Sequence, residues 1–142
     1  MMFDVTVHRS FSGAHFLRRY KGDCERVHGH NWKVEVTLWG QELDEGGMLY
    51  DFSLLKEHLD KALKPLDHRD LNEVPPFDTI EPSAEEIARY VTGAVAGKLD
   101  ESAKGRLSSI TVKVWETEIN RASYHAALDG LGEAEEGESH GI

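Results

Sequence analysis

The order in which hydrophobic periodicity changes along this chain constrains its fold more tightly than any other feature. From Met1 to His15 apolar residues alternate with polar ones, and the odd positions Phe3, Val5, Val7, Phe11, Gly13 and His15 share one face, as in a half-buried strand. Alternation resumes from His28, with His28, His30, Trp32, Val34, Val36 and Leu38 in line. Asp51 has the chemistry of an N-cap, after which Phe52, Leu55, Leu59, Ala62, Leu63 and Leu66 follow helical spacing, with Pro65 closing the helix. Ser83 and Glu86 form a capping box ahead of a second helical stripe, Ile87, Val91, Ala94, Val95 and Leu99. Ser109 to Thr117 returns to alternation, with Ile110, Val112, Val114 and Glu116 on one face, and Ala122 to Leu128 ends the pattern with Tyr124, Ala126 and Leu128.

The expected order is β-β-α-α-β-β, an α+β fold in which an antiparallel sheet carries both helices on one face. Arg9 interrupts the first apolar face and marks either a bulge or a functional side chain. Gln41 to Gly47 has turn composition, and Asp67 to Pro82, with the adjacent Pro75 and Pro76, reads as a loop. Four such strands cannot close a barrel alone, so the sheet edges call for charges, short ends or partner chains, and a homo-oligomer is expected.

Formal net charge is -10, which removes the electrostatic footprint of a nucleic-acid binder. Half of it comes from Asp129, Glu133, Glu135, Glu136 and Glu138, in a C-terminal stretch rich in Gly and Ala. With almost nothing to bury, residues 129–142 read as a disordered acidic tail, and residues 1–128 as one folded domain. No apolar run approaches the roughly 18 residues of a membrane helix. The alternation of Met1 to Val7 is unlike a signal peptide, so a cytoplasmic location and no membrane partner are expected.

His28-Gly29-His30 is the strongest chemical signal. On a strand both imidazoles project from one face, and the glycine between them leaves room for close backbone approach. His15 ends the neighbouring strand in the inward register. Three neutral imidazoles suit zinc with a fourth position open, an arrangement for catalysis; hydrogen-bonded histidines without metal are the alternative. His8, His58 and His140 read as solvated, and His125 has no assigned place.

The single cysteine, Cys24, lies four residues before His28 in the basic stretch of Arg18, Arg19, Lys21 and Arg26. Beside a cation it would become a thiolate proton acceptor; it could also be a fourth, closing zinc ligand. Asp67-His68 pairs a carboxylate with an imidazole whose tautomer it can fix, or simply ends a helix. Glu116 continues the face of Ile110, Val112 and Val114 with no cation in register. Either a planar ligand with two adjacent N–H donors, such as a pterin or guanine edge, satisfies it, or the strand has reached solvent there.

Six segments together carry a resemblance: Phe11-Ser-Gly-Ala-His15, Cys24-Glu-Arg-Val-His-Gly-His30, Gly47-Met-Leu-Tyr-Asp-Phe52, Leu66-Asp-His-Arg-Asp-Leu-Asn72, Pro82-Ser-Ala-Glu85 and Val114-Trp-Glu-Thr117. In this order the chain resembles the 6-pyruvoyl-tetrahydropterin synthase superfamily, and most closely its bacterial 6-carboxytetrahydropterin synthases of queuosine (7-deazaguanine) biosynthesis. The resemblance implies a tunnelling fold (T-fold) whose trimers close an antiparallel β-barrel and stack into a hexamer. It implies His15, His28 and His30 as zinc ligands, Cys24 as catalytic proton acceptor and Asp67 with His68 as its relay. It also implies that Glu116 anchors the pterin and joins the relay, and that Ser83 and Ala84 contact the ring. The implied substrate is 7,8-dihydroneopterin triphosphate, converted to 6-carboxy-5,6,7,8-tetrahydropterin with loss of acetaldehyde and triphosphate. The alternatives are a pyruvoyl-type synthase, which releases no acetaldehyde, and a non-catalytic zinc or pterin-binding module. The Cys-x3-His-Gly-His spacing of Cys24 to His30 favours the carboxy branch.

Overall fold

The computed structural model describes residues 1–128; the expected acidic tail and His140 lie outside the described residues. Strand β1 (Phe3–His15) pairs antiparallel with β2 (His28–Gly40) along their whole length. Helix α1 (Phe52–Leu63), short strand β3 (Arg69–Asp70), a 3-10 turn at Leu71–Glu73, helix α2 (Ala84–Ala96) and a one-turn helix α3 (Glu101–Lys104) follow. Strands β4 (Leu107–Trp115) and β5 (Arg121–Ala127) complete a five-stranded sheet ordered β3-β1-β2-β4-β5. This is the expected α+β arrangement with two additions, β3 and α3.

The alternating faces do what their period requires. Trp32, Val34, Val36 and Leu38 of β2 and Ile110, Val112 and Val114 of β4 are fully buried beneath Leu55 and Leu59 of α1 and Ile87 and Val91 of α2. Each such side chain contributes about 1.5–3 kcal/mol on leaving water. Helix α1 starts where Asp51 accepts the Ser53 N–H, and α2 where Ser83 accepts the Glu86 N–H at 3.2 Å. Glu86 does not close the box; it pairs with Arg89 at 3.3 Å. Gly40 sits at the register shift of β2, where a Cβ would strike the Arg106 carbonyl, so no other residue fits without displacing the backbone.

Several expectations require correction. Phe3, at the first position of β1, is 50% exposed, and Phe52, at the first position of α1, is 55% exposed: an element's end has fewer neighbours to cover it. Arg9 makes no bulge: the pairing passes through Arg9↔Val34 without a shift, and its guanidinium reaches over to Asp60 of α1 at 2.8 Å. Asp67 to Pro82 is not wholly loop, since Arg69–Asp70 pairs in parallel with Gly13–Ala14. His58 is buried, not solvated: it falls one helical turn after Leu55, on the core face of α1, where Nε2 meets the Tyr50 hydroxyl at 2.8 Å. Burial is also the first cause that pushes the Tyr50 phenol up to about 12. His125 lies on the outer face of β5, with Nδ1 2.9 Å from the Thr111 hydroxyl.

Among the described residues, no helix is long and apolar enough to cross a membrane.

Candidate metal centre and adjoining clefts

Strand pairing assembles the histidines. His15 is the direct cross-strand partner of His28, and Gly13 that of His30, so all three imidazoles meet at the open end of β1 and β2. Their ring centroids lie 4.6, 5.2 and 4.8 Å apart, and one ring nitrogen from each falls within 4.8 Å of the others. Trp32 forms the floor, with its ring edge-on to His15 at 4.9 Å and to His30 at 5.2 Å, and its indole N–H donating to the Gly13 carbonyl at 3.1 Å.

Backbone carbonyls set the tautomers. His15 Nδ1–H donates to the Pro82 carbonyl at 2.7 Å, and His28 Nδ1–H to the Arg26 carbonyl at 2.8 Å. A carbonyl only accepts, so in the neutral ring Nε2 is the bare nitrogen, the form a metal requires. Nε2 of His15 and of His30 are both buried without a hydrogen-bond partner. Glu116 Oε2 stands 3.4 Å from the first and 3.8 Å from the second. Bare ring nitrogens and a carboxylate oxygen repel unless something positive lies among them. Burial, ahead of the opposing pull of Glu116, lowers the pKa of His30, and His15 and His28 lower it further, which disfavours a proton in that role. The donor set therefore fits a metal ion. The glycine between the pair is less constrained than expected: a Cβ on Gly29 would meet only the Gly13 carbonyl, at 4.0 Å.

Glu116 is not the isolated buried carboxylate that its register suggested. It follows the end of β4, where its N–H donates to the Asn120 carbonyl at 3.0 Å, and its side chain is 31% exposed. It faces the imidazoles across one cleft wall. That cleft, of about 270 Å³, is lined by Ser83 and Ala84 together with Glu116, Leu17, Asn120 and Arg121. The fold thus joins three of the expected ring-contacting residues in one place, and adds Leu17, Asn120 and Arg121, which carried no signal of their own.

Asp67 and His68 occupy the other side. Asp67 Oδ1 accepts the Ser12 N–H at 3.0 Å and lies 3.1 Å from His68 Nδ1. The Ser12 bond, opposed by burial and assisted by His68, holds the Asp67 carboxyl below the usual carboxylate range. His68, at φ 59°, donates its backbone N–H to the Ser12 carbonyl at 2.6 Å, and its side chain is exposed. With His30, Gly29 and Asn31 it lines a second cleft of about 490 Å³. Cys24 is exposed, and its thiol donates to the Arg18 carbonyl at 3.3 Å. No hydrogen bond among the described residues joins Cys24 to Asp67, His68 or the three imidazoles.

A family model described as 6-pyruvoyl tetrahydropterin synthase matches residues 4–127. The chain belongs to this family. It is 38% identical over 120 residues to the 6-carboxy-5,6,7,8-tetrahydropterin synthase of Synechocystis, covering 81% of this chain and 87% of the relative. It is 33% identical over 129 residues to the human 6-pyruvoyl tetrahydrobiopterin synthase, covering 81% and 86%. Among solved structures, a catalytic-residue variant of Plasmodium vivax 6-pyruvoyltetrahydropterin synthase superposes with a TM-score of 0.75 at 26% identity, covering 89% of this chain and 99% of that one. The subunit fold is the T-fold, and membership places the chain among the tetrahydropterin synthases of pterin metabolism.

Proposed function

We propose that this protein is a zinc-dependent 6-carboxytetrahydropterin synthase acting on 7,8-dihydroneopterin triphosphate in 7-deazaguanine (queuosine) biosynthesis. The observation that carries the reading is one juxtaposition: three converging imidazoles, with Nε2 of His15 and of His30 buried and unpartnered, beside a cleft that holds Glu116, Ser83 and Ala84. His15, His28 and His30 would hold zinc, which when bound supplies a Lewis acid that acidifies the hydroxyls of the substrate side chain.

The remaining chemistry belongs to the chain. Glu116 accepts the two parallel N–H donors of the pterin edge, and Ser83 and Ala84 pack against the ring. Cys24, as thiolate, takes the proton from the carbon attached to the ring. His68, its ring oriented by Asp67, carries protons onward. A pure binding module would need neither a thiol nor an Asp-His pair, which favours an enzyme. The Cys-x3-His-Gly-His spacing and the identity to the Synechocystis enzyme favour the carboxy product.

A homohexamer built from barrel-forming trimers goes with this reading. Among the described residues, the outer edge of β1 before Gly13 has no strand beside it, nor does the outer edge of β5, and paired edges are the usual resolution. A cytoplasmic enzyme with a small-molecule substrate is the corresponding setting. Incubation of the purified protein with dihydroneopterin triphosphate tests the function. The expected outcome is 6-carboxytetrahydropterin with acetaldehyde; a pyruvoyl product without acetaldehyde would assign the other branch, and no turnover in zinc-replete protein would refute the enzyme.

A further inference from the structure

Arg18 is tied down from every side. Its Nη1 donates to Glu81 Oε1 at 3.1 Å and to the Ile80 carbonyl at 3.3 Å. Its Nη2 donates to the Phe77 carbonyl at 2.6 Å and to the Asn72 carbonyl at 3.4 Å. Its backbone N–H donates to Glu81 Oε2 at 2.8 Å, so one carboxylate grips the residue at both ends. The same residue's carbonyl accepts the Cys24 thiol. Leu17 and Glu25 close the loop behind it, through Glu25 N–H to the Leu17 carbonyl and Leu17 N–H to Glu25 Oε1, both at 2.9 Å.

The far side of this clamp touches the rest of the site. Glu81 precedes Pro82, whose carbonyl orients His15, and Ser83, which caps α2 and lines the ring cleft. Between these anchors, residues 19–24 are all exposed and bury nothing that could fix them. Arg19, Lys21 and Arg26 are exposed as well, which leaves them for an anionic substrate tail and leaves Arg18 committed elsewhere.

We infer that Arg18 is a positioning residue: clamped on Glu81 and the 72–81 carbonyls, it fixes the Cys24 loop against the segment that orients His15 and lines the ring cleft. This rests on Cys24 being the proton acceptor proposed above. A proton is passed only within hydrogen-bond reach. The bonds of Glu25 to Leu17 and of Asp23 N–H to the Tyr20 carbonyl at 3.0 Å lie within the loop; the Arg18 clamp, with Arg19 N–H to Glu81 Oε2 at 3.3 Å, sets its place against the 72–81 segment. The planar fork of a guanidinium can engage carboxylate and carbonyls together, which a lysine ammonium cannot.

Cys24 is the only cysteine, so alkylation with iodoacetamide reports its environment without any turnover. Arg18→Met and Glu81→Gln are compared with the parent and with Cys24→Ala, all zinc-loaded. Freed from its carbonyl, the thiol should alkylate about threefold to tenfold faster in Arg18→Met. Displacement of the acceptor should lower kcat by about tenfold to a hundredfold. KM should change by less than about twofold and zinc content not at all, because ring contacts and ligands remain. Glu81→Gln should move both rates the same way by less, and it decides alone if Arg18→Met does not fold. A lowered melting temperature with parental kcat and alkylation would show a merely structural clamp and overturn the inference, as would a kcat loss without faster alkylation. Full turnover in Cys24→Ala removes the underlying reading itself, whereas an inactive Cys24→Ala beside a parental Arg18→Met removes only the role of Arg18.

Discussion

Replacing Glu116 with Gln tests the ring-anchoring role and the geometry behind it. The carboxylate presents two acceptor oxygens; the amide keeps one and turns an N–H2 toward a ligand donor. A charge-assisted hydrogen bond is worth about 1.5–3 kcal/mol. Losing one corresponds to roughly tenfold to a hundredfold in affinity, about 1.4–2.8 kcal/mol. The side chain is 31% exposed, so solvent screens part of that value and the expectation is the lower end, about tenfold. Glu116 Oε2 also stands 3.4 and 3.8 Å from Nε2 of His15 and His30, so the neutral amide should loosen metal somewhat. With all three imidazoles present, metal content in zinc-replete buffer should nevertheless stay near one ion per chain, about the parental level. Calorimetric titration with the tetrahydropterin product, alongside elemental analysis, reads both quantities. Unchanged affinity at full metal content would show that Glu116 does not hold the ring.

His28→Ala should strip the metal while the chain stays folded, since His28 is only half-buried and sits at a strand end; elemental analysis and circular dichroism check this, and full metal content would remove His28 from the ligand set. Asp67 has its pKa lowered in the folded chain, so its carboxylate adds stability above the ordinary carboxylate pKa of about 3.9 and loses it as pH falls through the folded value. The urea midpoint of Asp67→Asn should accordingly lie below the parent's at pH 7 and approach it in acid, and a gap independent of pH would contradict the Ser12–Asp67 bond as its source. Light scattering should give a mass several times 16.0 kDa, and an active monomer would contradict the pairing of free sheet edges.

The elements were legible because each is written as local periodicity. Val34, Val36 and Leu38 alternate and are buried; Leu55 and Leu59 recur at helical spacing and are buried. Phe3 and Phe52 fit their apolar patterns yet are exposed at the ends of their elements, whereas His58 is polar yet buried on the core face of α1; burial depends on the neighbours the fold supplies, which no window along the chain contains. Strand β3 is invisible for a similar reason, since two residues pairing in parallel with Gly13 and Ala14 have no period to detect.

By itself the sequence determined the α+β order and the candidate donors: an imidazole pair two residues apart on a strand must share a face, and His15 shares it by parity. The folded backbone decided which nitrogen of His15 and of His28 is free, because the carbonyls of Pro82 and Arg26 that hold their Nδ1 atoms are groups common to every residue type, and the first comes from 67 residues away. Tertiary structure decided too that Glu116 answers to imidazoles and not to a cation in its own register, and that Arg18 serves Glu81 and three carbonyls. Side-chain chemistry is carried by residue identity and can be read in order along the chain. Decisive partners of that chemistry come from far along the chain, as with His15 and Pro82 at a separation of 67 and Arg18 and Glu81 at 63, and only three-dimensional packing specifies them.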